Sequence, residues 1–166
     1  MWLPGRAGSS TPAGDPAAKA GKNIAGKAVT ADDPSVPNMH YSYTLSDSAA
    51  NVVTTQTLQT DGSVQTTYDL ADGLLRKRQT KEPAPGGGQT LTDVYYDDRG
   101  LEVKDNGPYY NSEPPTDVLV VPDDKSVPTQ KTLQYDQAGR PTVESFVSLG
   151  KTQWSTTHTY AVTGEA

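Results

Sequence analysis

One signal recurs along this chain and restricts its fold more than any other: a tyrosine-aspartate pair, a glycine three or four residues after the aspartate, then a β-prone run. Tyr68-Asp69-Leu70-Ala71-Asp72-Gly73 leads into Leu74-Leu75-Arg76. Tyr96-Asp97-Asp98-Arg99-Gly100 leads into Leu101-Glu102-Val103, and Tyr135-Asp136-Gln137-Ala138-Gly139 into Arg140-Pro141-Thr142-Val143. A reduced copy, Tyr160-Ala161-Val162-Thr163-Gly164, follows, and Tyr43 stands where an earlier copy without Asp or Gly would open. The five tyrosines are spaced 25, 28, 39 and 25 residues apart. A fixed period with one outlier defines a repeat architecture. The outlier has a visible source. Residues 106–128 hold five prolines and read as an insertion, which in such arrays maps to a loop.

Each part of the signal has a physical role. The tyrosine closes an incoming strand, giving a ring to one face of a sheet and a hydroxyl to its wet margin. The aspartate accepts backbone amides further along an Asx-type turn. The glycine supplies the positive φ of a type I turn with a G1 bulge. Gly73, one place later than its counterparts, implies a longer variant of the turn. The unit is strand, turn, strand, and Asp61, Asp69, Asp97 and Asp136 all serve turns.

A further hairpin is expected at Asp61-Gly62, a two-residue link between Val52–Thr60 and Ser63–Tyr68. Pairing outward from it places Gln59 opposite Val64, Thr55 opposite Tyr68 and Val53 opposite Leu70. Val53, Val64, Tyr68 and Leu70 then share the packed face, and the other face is wet.

Composition agrees with a thin β-structure. Leu, Ile, Val and Phe supply 27 of 166 residues, whereas Thr supplies 21 and Tyr 9, both suited to a half-buried pleated surface. Gly and Pro, 15 and 13 residues, leave little room for helix. The fold class is therefore all-β, tandem antiparallel hairpins over residues 41–166. Residues 1–40 differ: Gly5 to Pro37 has one isoleucine and no aromatic residue, the composition of a disordered leader. The net charge of -6 argues against a nucleic-acid or anionic-membrane partner. No apolar run reaches the ~20 residues of a membrane span, and no signal-peptide core follows Met1. The absence of cysteine removes disulfides and thiolate chemistry.

With three Tyr-Asp copies followed by Gly-Leu-Leu-Arg or Gly-Arg-Pro-Thr, the region from residue 41 onward resembles the YD repeats of the RHS/YD-repeat family. That family includes bacterial polymorphic toxins, insecticidal toxin-complex C components and the animal teneurins. The resemblance implies a spiral of β-hairpins forming a hollow shell, which in toxin members encloses a C-terminal effector. It also implies a secreted or cell-surface parent protein and, as partners, the remaining repeats of a larger shell. Two departures stand out: few repeats, and Asp-Pro pairs (Asp15-Pro16, Asp33-Pro34) without the glycine-rich context of the family's self-cleavage motif. Both suggest a fragment of a larger shell, with open sheet edges suited to self-association.

No set of acid, base and nucleophile converges in the sequence, so an enzyme is not expected, nor is any cofactor or metal. His40 lies at the leader boundary and His158 in a Thr-rich strand, neither near a nucleophile elbow. Asp97-Asp98 and Asp123-Asp124 lack the ligand spacing of a calcium loop. Gly86-Gly87-Gly88 lacks the Lys-Ser/Thr of a phosphate loop and reads as a hairpin loop. The best ligand candidates are Tyr109 and Tyr110, expected to be exposed on the insertion, together with Trp154. Stacking on a glycan would make the chain a carbohydrate- or cell-surface-binding module, the alternative to a structural segment.

Overall fold

The computed structural model describes residues 21–22, 28–29 and 38–161 of the chain. Most of the expected leader, and Gly164 of the last repeat copy, lie outside these residues. The strands, in chain order, are β1 (Gly21–Lys22), β2 (Ala28–Val29), β3 (Met39–Thr44), β4 (Asn51–Leu58), β5 (Val64–Ala71), β6 (Lys77–Pro83), β7 (Gln89–Tyr96), β8 (Glu102–Asn111), β9 (Gln130–Tyr135), β10 (Pro141–Ser148) and β11 (Lys151–Thr157). One 3-10 turn, Asp124–Ser126, is the only helical element among the described residues. The protein is all-β, and no helix among the described residues is long and apolar enough to cross a membrane.

The chain forms two compact units, Met1–His40 with Thr57–Val64, and Tyr41–Gln56 with Gln65–Ala166. In the first, β1 and β2 pair antiparallel, Gly21 opposite Val29, and the Leu58 amide donates to the Asn38 carbonyl at 2.9 Å. This unit also contains the turn at Asp61-Gly62, which differs from the expected two-residue link. The Gln59 amide donates to the Ser63 carbonyl at 2.8 Å and the Gly62 amide to the Gln59 carbonyl at 3.0 Å. Only Gly62 takes positive φ, 84°, whereas a type I′ turn would need it at Asp61 also. The Asp61 carboxylate instead accepts the Ser63 amide at 2.9 Å, and a type I turn with a G1 bulge results. Closure at Gln59–Ser63 shifts the pairing by one residue, and a one-residue shift turns a strand over. Accordingly Val52, not Val53, is the buried residue of β4, alongside Leu70 of β5.

The second unit holds the main sheet. Its nine strands run β3 to β11 in sequence order, each hydrogen-bonded to its chain neighbours. This meander keeps every connection local. One connection is long: between β8 and β9 the chain crosses a sheet face as a strap, residues 112–129. The insertion is thus shorter than expected, because its first part, through Asn111, is strand. Pro108 is accommodated by a bulge. Leu91 faces Tyr109 and Asp93 faces Asn106, so Gly107 and Pro108 together stand against Thr92. A proline, lacking an amide hydrogen, is tolerated where the ladder is already interrupted.

Under the strap the apolar core is small: Leu91, Tyr109 and Val127, with Val120 of the strap packed against them. Across the described residues five buried hydrophobic side chains are outnumbered by six polar ones: Gln79, Lys81, Gln89, Asp93, Asn106 and Gln130. Hydrogen bonding therefore carries much of the interior.

Candidate functional site

Three hairpin turns share one geometry. The amides of Asp97 and Asp136 donate to the carbonyls of Leu101 and Arg140 at 2.9 and 3.0 Å, and those of Gly100 and Gly139 return to the aspartate carbonyls at 3.0 and 3.1 Å. Each aspartate Oδ1 accepts two amides, from Arg99 and Leu101 at 3.0 and 2.8 Å, and from Ala138 and Arg140 at 2.9 Å each. Tyr96 pairs with Glu102 and Tyr135 with Pro141, and the register shifts just beyond both pairs.

The third such turn lies three residues beyond the expected aspartate. Asp72, not Asp69, donates to the Arg76 carbonyl at 2.9 Å and accepts the Leu74 and Arg76 amides at 2.9 and 3.0 Å. Ala71, not Tyr68, occupies the tyrosine position, paired with Lys77. The positive φ falls on Leu75, 60°, rather than on Gly73. Tyr68 and Asp69 are ordinary β5 residues, Asp69 accepting the Thr80 hydroxyl at 3.2 Å. Hydrogen-bonding geometry, which sequence spacing alone does not fix, selects Asp72-Gly73-Leu74-Leu75-Arg76 over the Tyr68-Asp69 pair. With this assignment the first two turn aspartates are spaced 25 residues apart, as are Tyr135 and Tyr160.

Each turn aspartate also pairs with an arginine: Asp72 with Arg76 at 2.7 Å, Asp97 with Arg99 at 2.9 Å, Asp136 with Arg140 at 2.7 Å. All three carboxyls are held below the ordinary aspartate value. For Asp136 the Arg140 amide is the leading cause. For Asp72 and Asp97 desolvation is the largest influence and works upward, but the amide and arginine contacts together outweigh it.

Consecutive repeats are linked through the same groups. The Tyr135 hydroxyl donates to the Glu102 carbonyl at 2.7 Å, and the Tyr160 hydroxyl to the Pro141 carbonyl at 2.8 Å. In both cases the acceptor is the residue paired with the preceding repeat's tyrosine. Arg76 lies over the Tyr96 ring at 4.3 Å and Arg140 over the Tyr160 ring at 4.4 Å. Arg99 instead donates to the Asp136 carbonyl at 2.7 Å, and Asn51 donates likewise to the Asp72 carbonyl at 3.0 Å. Every turn is thus tied to the one before it.

The second constellation is the strapped polar core. Gln79, opposite Asp93 in the ladder, bonds the strap at both ends of its amide: Nε2 donates to the Val120 carbonyl at 2.7 Å, and Oε1 accepts the Val120 amide at 3.0 Å. Lys81, 0% exposed, donates to the Val118 carbonyl. Burial pulls the Lys81 ammonium below the usual lysine range, against the upward pull of the Asp117 and Asp93 carboxylates. Asp93 is fully buried and accepts Gln79 Nε2, Asn106 Nδ2 at 3.1 Å and the Tyr109 hydroxyl at 2.8 Å, with Arg78 at 3.7 Å. Gln130 extends the network from Asn106, at 2.9 Å, to Asp124, at 3.0 Å. Sequence reading missed this cluster, because alternating polar residues on β6 and β7 suggest a wet face and nothing local announces that a distant loop covers it.

The ligand candidates separate. Tyr109 is 5% exposed, its hydroxyl committed to Asp93, so the expectation of an exposed loop tyrosine is corrected. It lies on strand β8 and points under the strap. Burial and the Asp93 carboxylate push its phenol well above the ordinary value. Tyr110, its neighbour, points to the other face, 63% exposed, and donates to the Gly87 carbonyl at 3.3 Å. Trp154 of β11 is 50% exposed and stacks on Phe146, ring centres 6.2 Å apart. Following the ladder, Tyr110 shares a row with Thr90 and Trp154 a row with Val94, three strands away. Strand spacing and rise place the two roughly 19 Å apart, too far to sandwich one sugar ring.

Gly86, Gly87 and Gly88 all take positive φ in the β6–β7 hairpin loop. Asp123 caps the 3-10 turn, and Asp124 pairs with Lys104 at 3.0 Å. Among the described residues no three His, Asp or Glu side chains gather as a metal set. Comparison with protein-family models, with curated proteins and with solved structures found no match.

Proposed function

We propose that this chain is a segment of load-bearing wall in a β-hairpin shell of the YD-repeat kind, belonging to a larger secreted or cell-surface protein whose shell encloses or displays another domain. The observation that carries this reading is the link between repeats: a tyrosine hydroxyl on the backbone beside the previous tyrosine, and an arginine from one turn on the ring or turn of the next. A device that reads only the previous copy can be extended indefinitely, which suits a wall. The polar core under the strap serves the same end by fixing the inter-strand register. The separation of Tyr110 from Trp154 speaks against the carbohydrate-binding alternative. The test is to express the chain with its flanking coding sequence and image the product by electron microscopy. A hollow β-walled particle is expected. A flanking sequence without further Tyr-Asp-x-x-Gly copies, or a product with no enclosed space, overturns the reading.

A further inference from the structure

The strap leaves a cavity of about 300 Å³ in its bend, between its first residues and its return across the sheet. The floor is Gln89 and Asn111, opposite one another on β7 and β8. Leu119 and Val120 form an apolar wall, and Glu113 and Thr116 belong to the strap's outer part. Gln89 is 1% exposed, yet its Oε1 accepts no hydrogen bond, the one buried side-chain polar atom so placed among the described residues. The surroundings explain why. The Val120 amide that could answer it is bonded to Gln79. The other ladder neighbour of Gln89 is Pro83, which has no amide hydrogen. A buried acceptor without a donor is costly, and such an atom lining a cavity marks where a donor from outside would bind.

We propose that this cavity is a binding site for a primary alkylammonium group on a short methylene chain, as carried by a lysine side chain or a small free amine. The ammonium has donors and no acceptor, matching a floor whose vacant atom is an acceptor. The Glu113 carboxylate, exposed, and Asp117 one residue from the wall set a negative potential for a cation. The methylenes lie against Leu119 and Val120. The volume is at the small end of ligand sites and fits a chain of a few carbons. A neutral alcohol could satisfy Gln89 but would gain nothing from the carboxylates.

The test is a nitrogen-15 NMR titration of the full chain with n-butylammonium chloride at neutral pH, with n-butanol and sodium chloride as controls. Saturable shifts are expected at the Gln89 side-chain amide and at the Leu119 and Val120 backbone amides, with n-butanol weaker by about tenfold. Nα-acetyl-lysine amide separates the two sources: equal binding points to a partner's lysine, much weaker binding to a free amine. Gln89→Leu removes the acceptor and should abolish saturation without lowering Tm. Glu113→Gln, a surface change that the fold tolerates, should weaken binding severalfold and remove its salt dependence. Shifts that do not saturate or merely match sodium chloride, or unchanged affinity in either variant, overturn the proposal.

Discussion

Arg140 holds the Asp136 carboxylate at 2.7 Å and places the same guanidinium over the Tyr160 ring, 4.4 Å from its centre. Arg76 repeats the arrangement between Asp72 and Tyr96. One planar cation thus fixes its own turn and grips the next tyrosine, which a lysine could not do in both directions. Arg140→Lys should therefore lower Tm by more than an average surface change, on the order of 1 kcal/mol of stability. Near-ultraviolet circular dichroism should show the Tyr160 environment altered. A variant with unchanged tyrosine signal and Tm would mean that the stacking contributes nothing.

The turns set up a pair of opposite outcomes. Gly139 sits at φ 78°, so Gly139→Val forces a β-branched residue into the left-handed region and should cost roughly 1–3 kcal/mol. Leu75 already bears that strain at φ 60°, and its side chain is exposed. Leu75→Gly should leave stability unchanged or raise it by up to about 1 kcal/mol, relief of strain set against the looser unfolded chain. Thermal melts of the two variants decide, and a large loss in Leu75→Gly would show that Leu75 is needed for more than its backbone.

Acid should unfold the turns. Asp72, Asp97 and Asp136 have folded values below the reference of 3.8. A depressed carboxyl binds fewer protons folded than unfolded, so its contribution is present above pH 3.8 and is lost as pH falls through the folded value. Stability should be flat above about pH 5 in this respect and fall below 3.8. Asp136→Asn should flatten part of that fall. Denaturant melts from pH 2 to pH 6 measure it, and identical slopes would remove Asp136 from the account.

Gln79 is the clasp of the strap. Gln79→Met keeps much of the volume but leaves the Val120 amide and carbonyl unanswered, at a cost of about 2 kcal/mol. Hydrogen exchange at the Val120 amide should accelerate well beyond that at β5. Equal acceleration everywhere would mean that strap and sheet open together.

The hairpin repeat was legible because turn chemistry is local: an aspartate and a positive-φ glycine reveal Asp97–Gly100 and Asp136–Gly139 within a few residues. It misled where two aspartates lay three apart, since Asp69 and Asp72 both fit the spacing and only the ladder decides. Val53 was placed inward for the same reason, because Asp-Gly supports either a two-residue or a three-residue loop and the choice flips β4. The β10–β11 turn, Leu149-Gly150 at φ 49° and 72°, carries a leucine where asparagine would have announced it. Residues under the strap were opaque because their burial depends on a loop some forty positions away.

The six buried polar side chains have a thermal consequence. Exposing apolar surface raises the heat capacity on unfolding, while exposing polar surface lowers it. A sheet whose interior holds more amide and charge than hydrocarbon gains little heat capacity when it opens. Its free energy of unfolding should then trace a shallow arc with temperature, nearly level across the physiological range. Such a wall would keep much the same strength in the cold as in the warm, and its hydrophobic neighbours would be the first to weaken on cooling.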